Sequence, residues 1–165
     1  MNDLIDSVKK SLQDKNWYAA LTLTLTLPDI CGNIDYPKSF SKKRYAKWFD
    51  KYVKSKYTFE IGAKKKLHTF LNGSDCYALR CSYLHEGTSI TLFQKSHELL
   101  EDFLFVKPPP TGKVHLNQID KKLQLQVDLF CTDIVESIKS WLFDIKEDKV
   151  KMEKLTNLLR IFEIC

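Results

Sequence analysis

Two residues in Ser74–Gly87, SDCYALRCSYLHEG, are of types that can move a proton and hold an anion. His85 is a base near neutral pH, with a reference pKa of about 6.5. Arg80 carries a fixed charge on a planar fork that matches phosphate oxygens. Together they supply what RNA cleavage by its own 2′-hydroxyl needs. One group takes the hydroxyl proton, and the other stabilises the charge that gathers on the phosphate. The bland alternative is a helix-end histidine favoured by the dipole, with Arg80 paired to a carboxylate such as Asp75 or Glu86.

The surrounding residues Tyr77, Ala78, Leu79, Cys81, Tyr83 and Leu84 are mostly buriable and read as a short helix. Ser74-Asp75 offers the N-cap, since a short side-chain oxygen accepts from the free amides of a first turn. Gly87 offers the stop, because glycine takes the left-handed cap without steric cost. Five residues at roughly 100° each put Arg80 and His85 about 140° apart on an ideal α-helix. They meet only if the arginine reaches around, if the helix loosens near Gly87, or if two copies of the segment face each other across a two-fold axis.

The stretch LRCSYLHEG resembles the Arg-x4–6-His signature of the HEPN ribonuclease domains, with Arg80 and His85 as its two ends. The resemblance covers about a dozen residues. It implies a small, mainly helical bundle that forms a homodimer, binds RNA and cleaves it without a metal or other cofactor. Arg80 and His85 are then the catalytic residues at the dimer cleft. The products are a 2′,3′-cyclic phosphate and a 5′-hydroxyl. Family analogy extends this to toxin–antitoxin or phage-defence roles, with an antitoxin or other protein partner. Cys81 stands where many members carry a polar residue after the arginine. Gly87 stands where one toxin subclass carries a modified tyrosine. The alternative from another class is a non-catalytic HEPN-like module that binds RNA or protein, and a third is a plain helical interaction domain.

A chain of 165 residues with 44% apolar composition suits one domain, 1–165, with a sizeable core. Five glycines and five prolines favour helices over a turn-rich β fold. The five cysteines, Cys31, Cys76, Cys81, Cys131 and Cys165, include no close pair, which favours reduced thiols in a cytoplasmic protein. The charged start MNDLIDSVKKSLQDK is no signal peptide, and no apolar run approaches a membrane span of about 20 residues.

The net charge of +5 is concentrated. Residues 38–66 hold eleven Lys or Arg against Asp50 and Glu60. This window reads as a phosphate-binding surface or as a solvated helix face. Lys64, Lys65 and Lys66, just before the Arg80 helix, are the candidates to hold an RNA backbone, and Tyr83 is a candidate to stack on a base or to pack. Cys81 and His85 share one helix face, but no second pair completes a zinc site. His68, His97 and His115 lie outside ligand spacing. Phosphate-loop, dinucleotide, HExxH and GxSxG motifs are absent.

The remaining elements frame this segment. An amphipathic helix is expected near residues 2–14. Residues 17–27, WYAALTLTLTL, alternate like a strand but have helical flanks; helix is favoured, ended by Pro28. A loop follows at 33–40, then a helix to about Val53 with the apolar stripe Tyr45, Trp48, Phe49 and Tyr52. Residues 88–93 alternate. Residues 103–127 read as a small antiparallel β hairpin or three-stranded insert, with strands at 103–106, 114–116 and 123–127. Helices close the chain at 128–141 and 152–164. The fold class is therefore mainly α with a small β insert.

Overall fold

The Leu-Thr alternation folds as helix, inside α2 (Trp17–Asp35). It does so in a computed structural model of the chain that describes residues 1–91, 94 and 97–162. Adjacent pairs three to four residues apart enter the core, Ala20 with Leu21, Thr24 with Leu25, Leu27 with Pro28 and Cys31 with Gly32, a period that a helix gives and a strand does not. Thr22 and Thr26 return their hydroxyls to the carbonyls of Tyr18 and Leu23, each at 2.7 Å. The helix does not end at Pro28 as expected but runs on to Asp35, so the loop begins later than residue 33. An interior proline costs roughly 3 kcal/mol. Burying Leu27 and Ile34 at roughly 1.5–3 kcal/mol each offsets it.

The first helix, α1 (Asn2–Gln13), lays Ile5 and Val8 against this core. The third, α3 (Ser41–Tyr52), buries Tyr45, Trp48 and Phe49 completely and leaves Tyr52 at the rim. Trp48 meets Trp141 of α5 (Val127–Ile145) edge-on, with ring centroids 6.3 Å apart. Helices α2 and α3 approach backbone to backbone. A Cβ on Gly32 would lie 2.6 Å from the carbonyl oxygen of Arg44, so only glycine permits the contact.

After α3, a 3₁₀ turn (Lys54–Tyr57) leads into an unanticipated antiparallel hairpin, β1 (Thr58–Ile61) with β2 (Lys66–Thr69). Lys64 and Lys65 form its tip and Lys66 begins β2. The helix α4 (Gly73–Cys81) follows. Its N-cap is Asn72, which accepts the Asp75 amide at 2.8 Å, and Gly73 is already helical. Asn72 and not Ser74-Asp75 therefore caps the helix. A single π-helical turn, Ser82–Glu86, continues it to Gly87, whose φ of 68° ends it in the left-handed region.

The insert contains β3 (Asp102–Val106), β4 (Asn117–Ile119) and β5 (Lys122–Gln126), in the order β3-β5-β4. Only β4 and β5 are antiparallel; β3 runs parallel to β5, so the sheet is mixed. Residues 114–116 are not a strand. The Val114 amide donates to Gln126 Oε1 at 2.9 Å, the Gln126 amide donates to His115 Nδ1 at 3.1 Å, and Leu116 turns the chain at a φ of 60°. The last helix, α6 (Lys149–Thr156), ends well before residue 164, and Leu159, Ile161 and Phe162 are exposed. Residues 88–91 are not a strand, while Leu92 and Phe93 of the expected alternation lie outside the described residues, as do the chain end 163–165 and its Cys165. The architecture is mainly α with a small β insert, and no helix among the described residues is long and apolar enough to cross a membrane.

Candidate active site

Arg80 closes α4 and His85 stands on the π-turn that follows it. A π-turn closes its ring between residues five apart, one more than an α-helix. The Gly87 amide accordingly reaches the Ser82 carbonyl, five residues back, as well as the Tyr83 carbonyl at 3.1 Å. The same spacing carries His85 over Arg80. Arg80 Nη1 donates to His85 Nε2 at 3.3 Å. The helix has loosened at its end, so the pair meets within one chain. A guanidinium has no acceptor. In this contact Nε2 is therefore the acceptor. The ring is exposed, while the Arg80 side chain is only 21% accessible.

Behind the pair lies a carboxylate that the sequence does not point to. Asp29, one residue past Pro28, takes Arg44 Nε on Oδ1 at 2.8 Å and faces Arg80 Nη2 with Oδ2 at 3.8 Å. Arg44 also donates to Asn33 Oδ1 at 3.1 Å. The chain Arg44–Asp29–Arg80–His85 thus runs from α3 through α2 to the π-turn. It exists because α2 continues past Pro28 and because Gly32 lets α3 close on it. On its other side the Arg80 guanidinium carbon lies 6.0 Å from the Tyr77 ring centroid. Burial pushes the Tyr77 phenol up from its ordinary value, with the neighbouring Cys81 thiol adding to the rise. Arg80 Nε is buried with no acceptor among the described residues.

The carboxylates expected to hold Arg80 do other work. Asp75 Oδ1 accepts the amides of Glu98, Leu99 and Leu100 at 2.7, 3.0 and 3.3 Å, docking that loop on the first turn of α4. Glu86 accepts from Gln94 Nε2 at 2.8 Å.

The other candidates separate. Tyr83 is half-buried against the core, with its hydroxyl 3.2 Å from Thr22 Oγ1 of α2. Lys64, Lys65 and Lys66 are exposed at the far end of a hairpin whose base leads into the first turn of α4, whereas Arg80 and His85 sit at its last turn. Among the described residues, no hydrogen bond or ion pair joins these lysines to Arg80 or His85. Of the basic window, Arg44 is the residue that reaches the cluster. Its signal in the sequence was its place in that window; Asp29 carried none beyond following a proline. Cys81 is half-exposed beside the pair. The remaining histidines bond away from the pair, His115 by accepting the Gln126 amide. His68 Nε2 lies 3.0 Å from Gln118 Oε1, and His97 Nδ1 lies 2.8 Å from the Gln94 carbonyl.

The cluster offers an imidazole base, a cation beside it and a partly buried carboxylate facing the cation, an arrangement suited to proton transfer at a phosphate. No protein family, curated protein or solved structure matches the chain.

Proposed function

We infer that the chain is a HEPN-like, metal-independent endoribonuclease that cleaves RNA by transesterification. The observation that carries this reading is the 3.3 Å contact between Arg80 Nη1 and His85 Nε2, made possible by the π-turn. The RNA 2′-hydroxyl gives its proton to His85 Nε2, which Arg80 frees as its guanidinium turns to the phosphate, while the 2′-oxygen bonds to the adjacent phosphorus. The P–O5′ bond breaks, and the departing 5′-oxygen takes a proton from water. Arg80 stabilises the charge on the phosphate oxygens during the exchange. The products are a 2′,3′-cyclic phosphate and a 5′-hydroxyl. A homodimer through this face, setting two pairs across one cleft, belongs to the same proposal.

Asp29 already occupies one edge of Arg80, and Cys81 follows it. These features favour a second reading, a HEPN-like module that binds RNA and does not cut it. Incubation with mixed single-stranded RNA in EDTA, beside His85→Ala, separates the two. Cleavage with cyclic-phosphate ends, lost in the variant, supports the enzyme. Salt-sensitive binding without cleavage moves the function to the binding module. Neither cleavage nor binding rejects both.

A further inference from the structure

Asp29 is shared between the Arg80–His85 pair and a hollow of about 470 Å³ lined by residues of α2, α3 and α6. The walls are Arg44 of α3, Asn33 of α2 and Lys154 of α6, and Ile30, Ile34 and Leu158 give it an apolar floor. Its size falls in the ordinary range for small-ligand sites, and so does its make-up of apolar floor with a few convergent polar groups.

Each polar group has bonding capacity to spare. Arg44 spends Nε on Asp29 and Nη1 on Asn33, which leaves Nη2. Asn33 accepts from Arg44 with its oxygen, so its amide nitrogen is left to donate. Lys154 Nζ makes one long contact, 3.5 Å, to the Ile34 carbonyl and keeps two further donors. The lysine is held over the hollow by α6 itself. Lys151, one turn earlier, pairs with Asp35 at 2.9 Å and fastens α6 to the end of α2. The open donors are cationic or amide, and the acceptor oxygen of the cluster is already taken by arginines. The hollow therefore matches an anionic, flat, partly apolar ligand.

We propose that this hollow is a nucleotide subsite for RNA, holding the nucleotide next to the scissile phosphate. Lys154 and Arg44 take its phosphate, the Asn33 amide donates to a base edge, and the floor of Ile30, Ile34 and Leu158 covers the base. The placement follows from Asp29, whose two oxygens face Arg44 on the hollow side and Arg80 on the catalytic side. The proposal rests on the ribonuclease reading for its neighbour but not for its own test.

The test uses 2′-O-methyl RNA, which lacks the attacking hydroxyl and so reports binding without cleavage. Fluorescence anisotropy is measured across a salt series for the wild type, Lys154→Ala, Asn33→Ala and Asn157→Ala, with circular dichroism to confirm the helical fold. Lys154→Ala is expected to weaken binding about tenfold and to lower the slope of log K against log salt by about 0.7, the share of one phosphate contact on a single strand. Asn33→Ala is expected to change the preference among homopolymers while leaving the slope alone. Free nucleoside monophosphates are expected to bind far more weakly than the oligonucleotide.

Wild-type affinity and homopolymer preference in Lys154→Ala and Asn33→Ala overturn the subsite, as does a wild-type protein that does not bind the probe. Mononucleotides binding as tightly as the oligonucleotide overturn its placement along RNA. If Lys154→Ala or Asn33→Ala fails to fold, Asn157→Ala, at another residue lining the hollow, carries the same test and is expected to weaken binding of the oligonucleotide. Binding that responds as expected, in a protein that never cleaves unmodified RNA, keeps the subsite and rejects the enzyme. Cleavage with unchanged KM in every variant does the reverse.

Discussion

Arg80 Nη1 and His85 Nε2 stand 3.3 Å apart although they are five residues apart on one continuous helical segment. Ideal α-helix would hold them about 140° apart. The π-turn Ser82–Glu86 removes that angle by adding a residue to the last turn, and Gly87 in the left-handed region stops the distortion from propagating. The contact thus depends on one irregular turn, a kind of irregularity often found where a chain does chemistry.

Arg80 faces Asp29 with Nη2 at 3.8 Å and His85 with Nη1 at 3.3 Å, two directions that a planar guanidinium serves and a point charge does not. Arg80→Lys keeps the charge but cannot face Asp29 and His85 together. On the proposed ribonuclease function, RNA cleavage is expected to fall about 100-fold in Arg80→Lys and further in His85→Ala. Asp29→Asn leaves two arginines facing each other without an anion. It is expected to cost about 1.5–3 kcal/mol, the scale of a hydrogen bond to a charged group, read from urea unfolding midpoints. A wild-type midpoint in Asp29→Asn would remove Asp29 from this role.

His115 gives a pH dependence of known sign. Burial lowers its pKa below the usual 6.5, against the pull of Asp133 and Asp128 and with Lys113 adding to the fall. Its Nδ1 accepts the Gln126 amide, which protonation would forbid. A depressed folded pKa means the contribution is present above about pH 6.5 and is lost as pH falls through the folded value. Denaturation midpoints should therefore drop below pH 6.5, and His115→Asn, which keeps an acceptor, should flatten that limb. Burial would raise Asp102, but hydrogen bonds from Lys122, Ser89 and the Phe103 amide together lower it below 3.8, so it adds its own loss only in stronger acid. An unchanged acid limb in His115→Asn contradicts the assignment.

The Lys151–Asp35 pair anchors α6. The Asp35 side chain is only 3% exposed and lies at the C-terminal end of α2, where the helix dipole disfavours an anion. The bond to Asp35 raises the Lys151 pKa above 10.5, against some loss from burial, so its contribution is present below that pH and is lost as pH rises through the folded value. Lys151→Met is expected to destabilise the fold by about 1.5–3 kcal/mol at neutral pH. The double variant with Asp35→Asn is expected to recover most of it, because no buried charge is then left unpaired. A double variant as unstable as Lys151→Met would show that the methylene stem, not the charge, does the anchoring.

Thiol reactivity should divide by burial. Burial pushes the thiols of Cys76 and Cys131 up to about 12 and that of Cys31 well above its usual value. The thiolate is the reacting form, so these three are expected to alkylate only as fast as the native state opens. Cys81 is half-exposed and should be modified first of the four. Peptide mass spectrometry after a short iodoacetamide pulse reads the order; early labelling of Cys31 or Cys76 would argue against the buried core drawn around them.

Much of this molecule was present in local chemistry. The aromatic stripe Tyr45, Trp48 and Phe49 has the period of a helix that buries one face, and it does so. Gly87 marks a helix end because no other residue enters the left-handed region without strain. The β insert was visible from its alternation, although the parallel pairing of β3 with β5 was not, since strand direction is set by how the chain returns and not by side-chain period. The hairpin β1–β2 escaped because only four residues a side form it and lysines crowd its tip.

What tertiary structure alone decided is the site. The sequence names Arg80 and His85 but spaces them for opposite faces. On the π-turn, Tyr83 meets α2 through its hydroxyl, 3.2 Å from Thr22 Oγ1, a contact between residues 61 apart in the chain. Asp29 joins Arg80 and His85 only because burial of Leu27 and Ile34 carries α2 through a proline that local rules read as a stop. Local propensity is a matter of about 1 kcal/mol per residue, whereas each large side chain buried is worth two or three times that. Where the two conflict, packing wins, and here the conflict falls on the residues that build the cluster.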